Sequence, residues 1–313
     1  MQDVNTTTVT EFVLLGFSNL PKLKNFMFCA VLMLYIICLL GNITIFLLVR
    51  TESSLHTPMY FFISIFTVLE IMYVSVTAPK LLAILIQNDN TILFYSCYVQ
   101  SYAFNCLGQT ECFLLSLMVF DRYLAINKPL RYSAIMNSRF CWKLSVLPWL
   151  LGFTIAPFPS VITFQSDFCG PNEINHFFCD SEQLSDLACS DQTFGKLSSM
   201  VACFTSIMLP FFSIVGFYVQ IIYTVLKIKS KESKTKAFST CSSHLIVACL
   251  FFGSGIMVYV KPKRSHLDKF CALAFTLVIP AINPFIYTFR NREVKNAFRK
   301  VSRQIIMQFQ QSN

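Results

Sequence analysis

The chain has 313 residues, 55% hydrophobic and only 13% charged, with a formal net charge of +9. A soluble domain carries about 25% charged residues, so this sequence lacks the polar cover that a water-exposed fold needs, and collagen-like, disordered and coiled-coil classes fail on the same figures. Length alone suggests two domains at roughly 100–200 residues each, but the apolar residues come in long blocks without the 3.6-residue period of a soluble helix.

Residues 1–25 form a polar tail with Asp3 and Glu11, and show no compact basic and apolar run with a small-residue cleavage site. The first apolar block is therefore expected to direct membrane insertion itself. Asn5-Thr6-Thr7 is a glycosylation acceptor in this tail. The same pattern at Asn42-Ile43-Thr44 falls inside the first block and is expected to stay unmodified.

Seven blocks follow, at 26–49, 58–79, 94–120, 144–163, 197–226, 237–260 and 270–289. Each is long enough to cross a hydrocarbon core of about 30 Å at about 1.5 Å per residue. Backbone groups in lipid must be satisfied within their own segment, which makes these blocks helices; the dyad alternation of a membrane barrel is absent. The expected fold is an all-α membrane protein, one seven-helix bundle over 26–289.

Lys and Arg set the orientation. Arg50 and the segments 122–143, 227–236 and 290–313 hold 17 of the 25 basic residues. Positive loops stay cytoplasmic, so the N-terminus is expected outside and the C-terminus inside, facing an anionic leaflet. The net charge is thus a topology signal, and nucleic acid is not an expected partner. Lys261, Lys263, Arg264 and Lys269 run against the rule. After Arg290, Val294, Ala297, Phe298, Val301 and Ile305 fall on one helical face, with Arg292, Lys295, Arg299, Lys300 and Arg303 around it. Residues 290–313 therefore read as an eighth, amphipathic helix lying along the membrane lipid.

Nine of the 13 cysteines lie in or near the blocks and read as small apolar residues. Cys97, Cys169, Cys179 and Cys189 face outside, and four cysteines in an oxidising compartment imply two disulfides with three possible connectivities. His176-Phe177-Phe178-Cys179-Asp180 holds metal-ligand residue types, but a disulfide would consume the thiolate that a metal needs.

Ionisable residues inside a bilayer are costly and mark function by default. Only Glu70 and Glu111 lie deep, twelve residues from Pro58 and eleven from Arg122, so their depths agree within a few ångströms. Two carboxylates at one depth need a counter-ion or a shared proton if they are adjacent. The pair reads as a sodium-type cation site or a protonated pair, with Asn42 and Asn283 able to complete the cluster. Alternatively, each glutamate is separately neutral and hydrogen-bonded. Asp121-Arg122-Tyr123 follows, where an acid and an always-charged arginine can hold each other and then part.

These features, with the motifs around them, resemble the rhodopsin-like G-protein-coupled receptors and specifically olfactory receptors of the tetrapod-type class. The resemblance is carried by Thr10–Phe17 (TEFVLLGF), Gly41-Asn42, Leu55–Tyr60 (LHTPMY), Met118–Ile126 (MVFDRYLAI), Lys236–His244 (KAFSTCSSH) and Pro280–Tyr287 (PAINPFIY). It implies Cys97–Cys179 and Cys169–Cys189 disulfides, with Cys97–Cys189 as the competing pairing. It matches Glu70 and Glu111 to the family's buried acid pair. Asp121, Arg122, Tyr123, Tyr218, His244, Asn283, Pro284 and Tyr287 match positions of activation and G-protein coupling. The implied partners are a small volatile odorant, a stimulatory G protein of the olfactory type that raises cyclic AMP, and an accessory protein for trafficking. Two departures stand out: Phe252 replaces the usual tyrosine of the sixth helix, and Asn127 stands where the third-helix motif ends in Cys.

Helical spacing puts Phe104, Asn105, Gly108, Gln109 and Cys112 together on the outer half of the third helix. The resemblance places Cys203, Ser206, Ile207, Gly255, Ile256, Tyr259 and Thr276 opposite them. No charge lies among these residues, so a neutral, mostly apolar ligand is expected. Rival classes fit less well. A transporter would show repeated halves, a light-sensing protein needs a lysine in the last helix, and no nucleophile–base arrangement for an enzyme is found at matched depth. A receptor of the same fold sensing a small metabolite outside the olfactory epithelium is the alternative.

Overall fold

The computed structural model describes residues 9–87, 89–169, 171–191, 193–259 and 267–311. Among these residues, seven helical segments are long and apolar enough to cross a membrane: Pro21–Thr51, Pro58–Gln87, Phe94–Asn127, Ser138–Phe164, Thr193–Lys227, Cys241–Val258 and Asp268–Thr288. Each overlaps one of the expected blocks, and most run past it. Lipid dictates where a helix must be apolar, while the backbone goes on as helix into the polar zone. Thus the third span continues to Asn127 and the sixth helix begins at Lys231. Local chemistry sets some ends. Pro58 opens the second span, where its missing N–H costs nothing. Asn137 caps the fourth, its Oδ1 accepting from the Phe140 N–H at 3.0 Å.

The third span is central, packing against the second, fourth, fifth and sixth. Its approach to the fourth depends on Gly152, where an added Cβ would stand 2.2 Å from Thr110 Oγ1 and 2.7 Å from the Cys106 carbonyl oxygen. The first span meets the seventh at Gly41, where a Cβ would lie 3.0 Å from the Pro284 ring. Two spans contain a π-helical turn, Phe204–Met208 in the fifth and Ala274–Val278 in the seventh. Each directly precedes a proline-bearing turn, with Pro210 and Pro280, where the ladder loses a donor and the turn widens.

The membrane part is all helix, but the tail and loops build a small sheet that the all-helical expectation did not include. β1 (Glu11–Leu14) lies between β2 (Thr91–Leu93), antiparallel to it, and β3 (Glu173–Ile174), parallel to it. Phe12 and Leu14 point inward with Ile92, Ile174, Cys97 and Cys179, forming a second small core. The two disulfides join Cys97 to Cys179 and Cys169 to Cys189, with Cα–Cα distances of 5.5 and 5.6 Å. The competing Cys97–Cys189 pairing is not formed. Gly16, at φ +51°, turns the tail from β1 onto the bundle. There Phe17 packs against Phe177 and Phe270, with ring centroids at 5.8 and 5.3 Å.

At the opposite end, Asn291 is extended and breaks the seventh helix from the C-terminal helix Arg292–Gln311. Val294 and Ala297 are buried against the bundle, while Phe298 stays 44% exposed. Tyr60 Oη lies 2.9 Å from Asn291 Oδ1 and 2.7 Å from Glu293 Oε2, and Lys300 pairs with Glu52 at 2.9 Å.

Candidate functional site

The two deep glutamates come together. Glu70 and Glu111 are fully buried, within electrostatic range of each other, and both lie near Cys38 and Tyr287. Asn283 Nδ2 donates to Glu70 Oε1 at 2.5 Å. Asn42 behaves differently from expectation: its amide donates to its own helix, to the Cys38 carbonyl at 3.0 Å. An asparagine four residues from a carbonyl can satisfy itself locally, so helix depth alone does not make it a partner of the acids. Among the described residues, four buried polar atoms of the cluster have no hydrogen-bond partner: Glu70 Oε2, Glu111 Oε2, Asn283 Oδ1 and the Tyr287 hydroxyl.

Nearer the Asp121 end, Arg122 is almost fully buried and folds back on Asp121, its Nε 3.0 Å from Oδ2. The other carboxylate oxygen accepts from the Tyr132 hydroxyl at 2.7 Å. Burial and the neighbouring carboxylate push that phenol above its ordinary range. Nothing in the sequence pattern pointed to Tyr132, because it sits on the short helix Pro129–Ile135 that only folding brings under the third span. Tyr123 packs in an aromatic group with Phe120 and Phe217. Tyr218 donates to the Cys241 carbonyl at 3.3 Å, bridging the fifth and sixth helices. His244 lies 5.7 Å from the Tyr287 ring, and its Nδ1 is buried without a partner. Asn127 Oδ1 is likewise buried and unpartnered.

Of the expected ligand residues, Phe104, Gly108 and Gly255 border an aromatic region under the disulfide-bonded loop. Phe104 stacks on Tyr73 at 5.1 Å and meets Phe178 of the loop at 4.5 Å. Tyr73 also faces Phe275 and stands beside Gly108, and Phe275 stands beside Gly255. Asn105 does not point a free amide into this region. It donates to the Ser101 carbonyl at 3.0 Å and to Ser181 of the loop at 2.9 Å. Ser206 is also satisfied, bonding the Ala202 carbonyl at 2.5 Å. Gln109 Oε1 and Thr276 Oγ1, by contrast, are buried with no partner, and Ser206 and Thr276 each sit in a π-helical turn. Cys112 is buried and within electrostatic range of Cys203, which is exposed; Ile207 is half-buried. Ile256 is 44% exposed. Asn5, the Tyr259 side chain, and Lys261, Lys263 and Arg264 lie outside the described residues. Phe252, without the usual hydroxyl, is buried against Phe211 and Phe251.

Loop residues that the sequence reading weighed only as a metal site, together with Gln100, close the region from above. His176, Phe177 and Phe178 pack ring on ring. Gln100 ties the loop down, accepting from the Cys179 N–H at 3.0 Å and donating to the Val76 carbonyl. Burial, helped by the Lys269 charge, pulls the His176 imidazole down to about 3, while burial pushes the Asp180 carboxyl up to about 7. Among the described residues, no group of three or more His, Cys, Asp and Glu could hold a metal ion.

Seven apolar spans, a loop tied down by a disulfide, and a buried acid and Arg122 core define a multi-pass cell-membrane protein of the receptor type. The family model for the olfactory receptor matches residues 28–305. Olfactory receptor 6E1 of Mus musculus is 44% identical over 95% of this chain and 96% of its own length. Olfactory receptors 5A2 and 6N1 of Homo sapiens are 44% and 41% identical, over 95% and 97% of this chain and 92% and 99% of theirs. The chain belongs to the olfactory receptor family, which are G-protein-coupled receptors and not enzymes.

Proposed function

We propose that the chain is an odorant receptor oriented with its N-terminus outside. It binds a small, neutral, mostly apolar volatile between the outer halves of the helices and activates a stimulatory G protein of the olfactory type, raising cyclic AMP. The observation that carries the ligand class is the pairing of an uncharged aromatic wall (Tyr73, Phe104, Phe275) with the unpartnered buried Gln109 and Thr276. Such a site repays an apolar body and offers a hydrogen bond to one oxygen function. The names of the relatives support the odorant reading. Arg122 is released from Asp121 when the sixth helix moves, and Tyr218, His244 and Tyr287 rearrange with it.

The acid cluster holds either a sodium ion or a shared proton, since two carboxylates this close in a medium of low dielectric cannot both stay ionised unaided. The unpartnered oxygens of Glu70, Glu111 and Asn283 form a hard donor set suited to a sodium ion. Glu111→Gln is expected to weaken the sodium sensitivity of the agonist response; unchanged sensitivity would leave the shared proton. The main test is cyclic AMP in cells expressing the chain with the olfactory-type G protein, screened against a panel of small volatiles. A concentration-dependent rise that disappears in Arg122→Ala is expected. Silence across the panel with confirmed surface expression would count against the coupling.

A further inference from the structure

A groove of about 320 Å³ opens between the third, fourth and fifth spans, away from the aromatic region described above. Apolar side chains make up nearly all of its wall, including Phe113, Leu117 and Leu147, with Ser116 and Ser213 as the polar exceptions. Ser213 is already satisfied, donating to the Leu209 carbonyl at 2.9 Å, as Ser206 and Ser254 do within their own helices. Ser116 makes no hydrogen bond among the described residues. Across the groove stand Leu144 and Pro148. Pro148 lies inside the fourth helix and has no N–H, so the Leu144 carbonyl loses its usual donor. The groove therefore has an unbonded hydroxyl on one wall and, on the other, the turn that Pro148 deprives of a donor, between helices apolar enough to lie in lipid, where unsatisfied polar groups cost most.

We infer that this groove is a second binding site, open to the bilayer, for a small apolar alcohol. One ligand hydroxyl would accept from Ser116 and donate to the Leu144 carbonyl while the hydrocarbon body fills the apolar wall. The volume lies at the lower end of small-molecule sites, roughly 300–1,000 Å³. Ser116 is six residues, about 9 Å, inside Arg122, too deep for the headgroup of an ordinary phospholipid. The groove also borders Phe120 and Phe217, which pack on Tyr123, so an occupant would press on the residue next to Arg122.

The test is photolabelling of the full-length protein in phosphatidylcholine nanodiscs with a ten-carbon alcohol carrying a diazirine, mapped by mass spectrometry. Because labelling reads binding and not signalling, its outcome is separate from that of the cyclic AMP assay. Labels are expected on residues 113–120, 144–151 and 209–217. Excess decanol should displace them, and Ser116→Ala should reduce them about five- to tenfold, the worth of one hydrogen bond. Ser213→Phe, which fills the groove without touching the polar pair, should abolish them. Equal labelling by the matching hydrocarbon, no change in either variant, or displacement by cholesterol but not by decanol would overturn the site.

Discussion

The end of the bundle that carries β1–β3 and the end that carries Asp121-Arg122 are closed by different means. At the first, two disulfides, a three-stranded sheet and stacked rings from Phe17, Phe104, Phe177 and Phe178 hold tail, loops and helices together. Toward the second there is no disulfide or sheet among the described residues, and apolar packing is supplemented by polar links such as Tyr218 to Cys241, Tyr132 to Asp121 and Lys300 to Glu52. Between the two ends lie buried atoms with no partner, on Glu70, Glu111, His244, Asn283 and Tyr287. A covalent and aromatic closure keeps one shape. A core of unmet hydrogen bonds leaves a second arrangement within reach, because a rearrangement can satisfy what the present one does not.

That contrast can be broken by mutation, and the largest expected effect lies at the polar end. Arg122→Ala should reduce agonist-evoked cyclic AMP to background while surface immunostaining persists, even though the buried Asp121 loses its counter-charge. A normal response would remove the residue from the switch. At the closed end the cost should fall on stability. Cys97→Ser should lower the unfolding midpoint more than Cys169→Ser, because the first bridge spans 82 residues and the second 20. Closure entropy makes the difference about 1 kcal/mol, and equal midpoints would mean that the loop is held by its packing alone.

Gly152→Ala tests the middle of the bundle. Its new methyl would meet Thr110 and the Cys106 backbone, so a loss of about 1–3 kcal/mol is expected. An unchanged midpoint in a thermal-shift assay would show that the third and fourth spans can separate freely.

The smallest effect expected in the wild type concerns pH at the loop, because two larger ones cancel. His176 is held down to about 3 by burial, so the fold binds fewer protons than the unfolded chain and its stability rises as pH goes from 3 to about 6.5. Asp180 is pushed up to about 7 by burial, so the fold binds more protons and its stability falls as pH rises from about 4 to 7. The two slopes oppose each other between pH 4 and 6.5. The wild type should therefore be nearly flat there, His176→Phe should lose stability as pH rises, and Asp180→Asn should gain it. Midpoints measured across that range in nanodiscs check the signs, and one common slope in all three proteins would discard the assignment.

Much of this was legible residue by residue. Lipid can satisfy no backbone group, so a nearly charge-free run of 20 residues without dyad alternation must be a helix, and the seven spans follow from counting. Depth is also linear along a helix, which is why Glu70 and Glu111 could be matched before any contact was known. The strand Glu11–Leu14 was not legible in the same way, because four residues with three apolar in a row show no alternation, and its partners β2 and β3 lie about 80 and 160 residues away. Cysteine pairing, the turning of Asn42 to its own helix, Tyr132 beneath Asp121, and the free hydroxyl of Ser116 were decided only by packing. Each depends on helix rotation and on which loop lies over which span. Sequence alone determined which segments enter the membrane and at what depth their charges lie. Tertiary structure decided which of those groups meet, because rotation about a helix axis leaves depth and hydropathy unchanged while changing every neighbour.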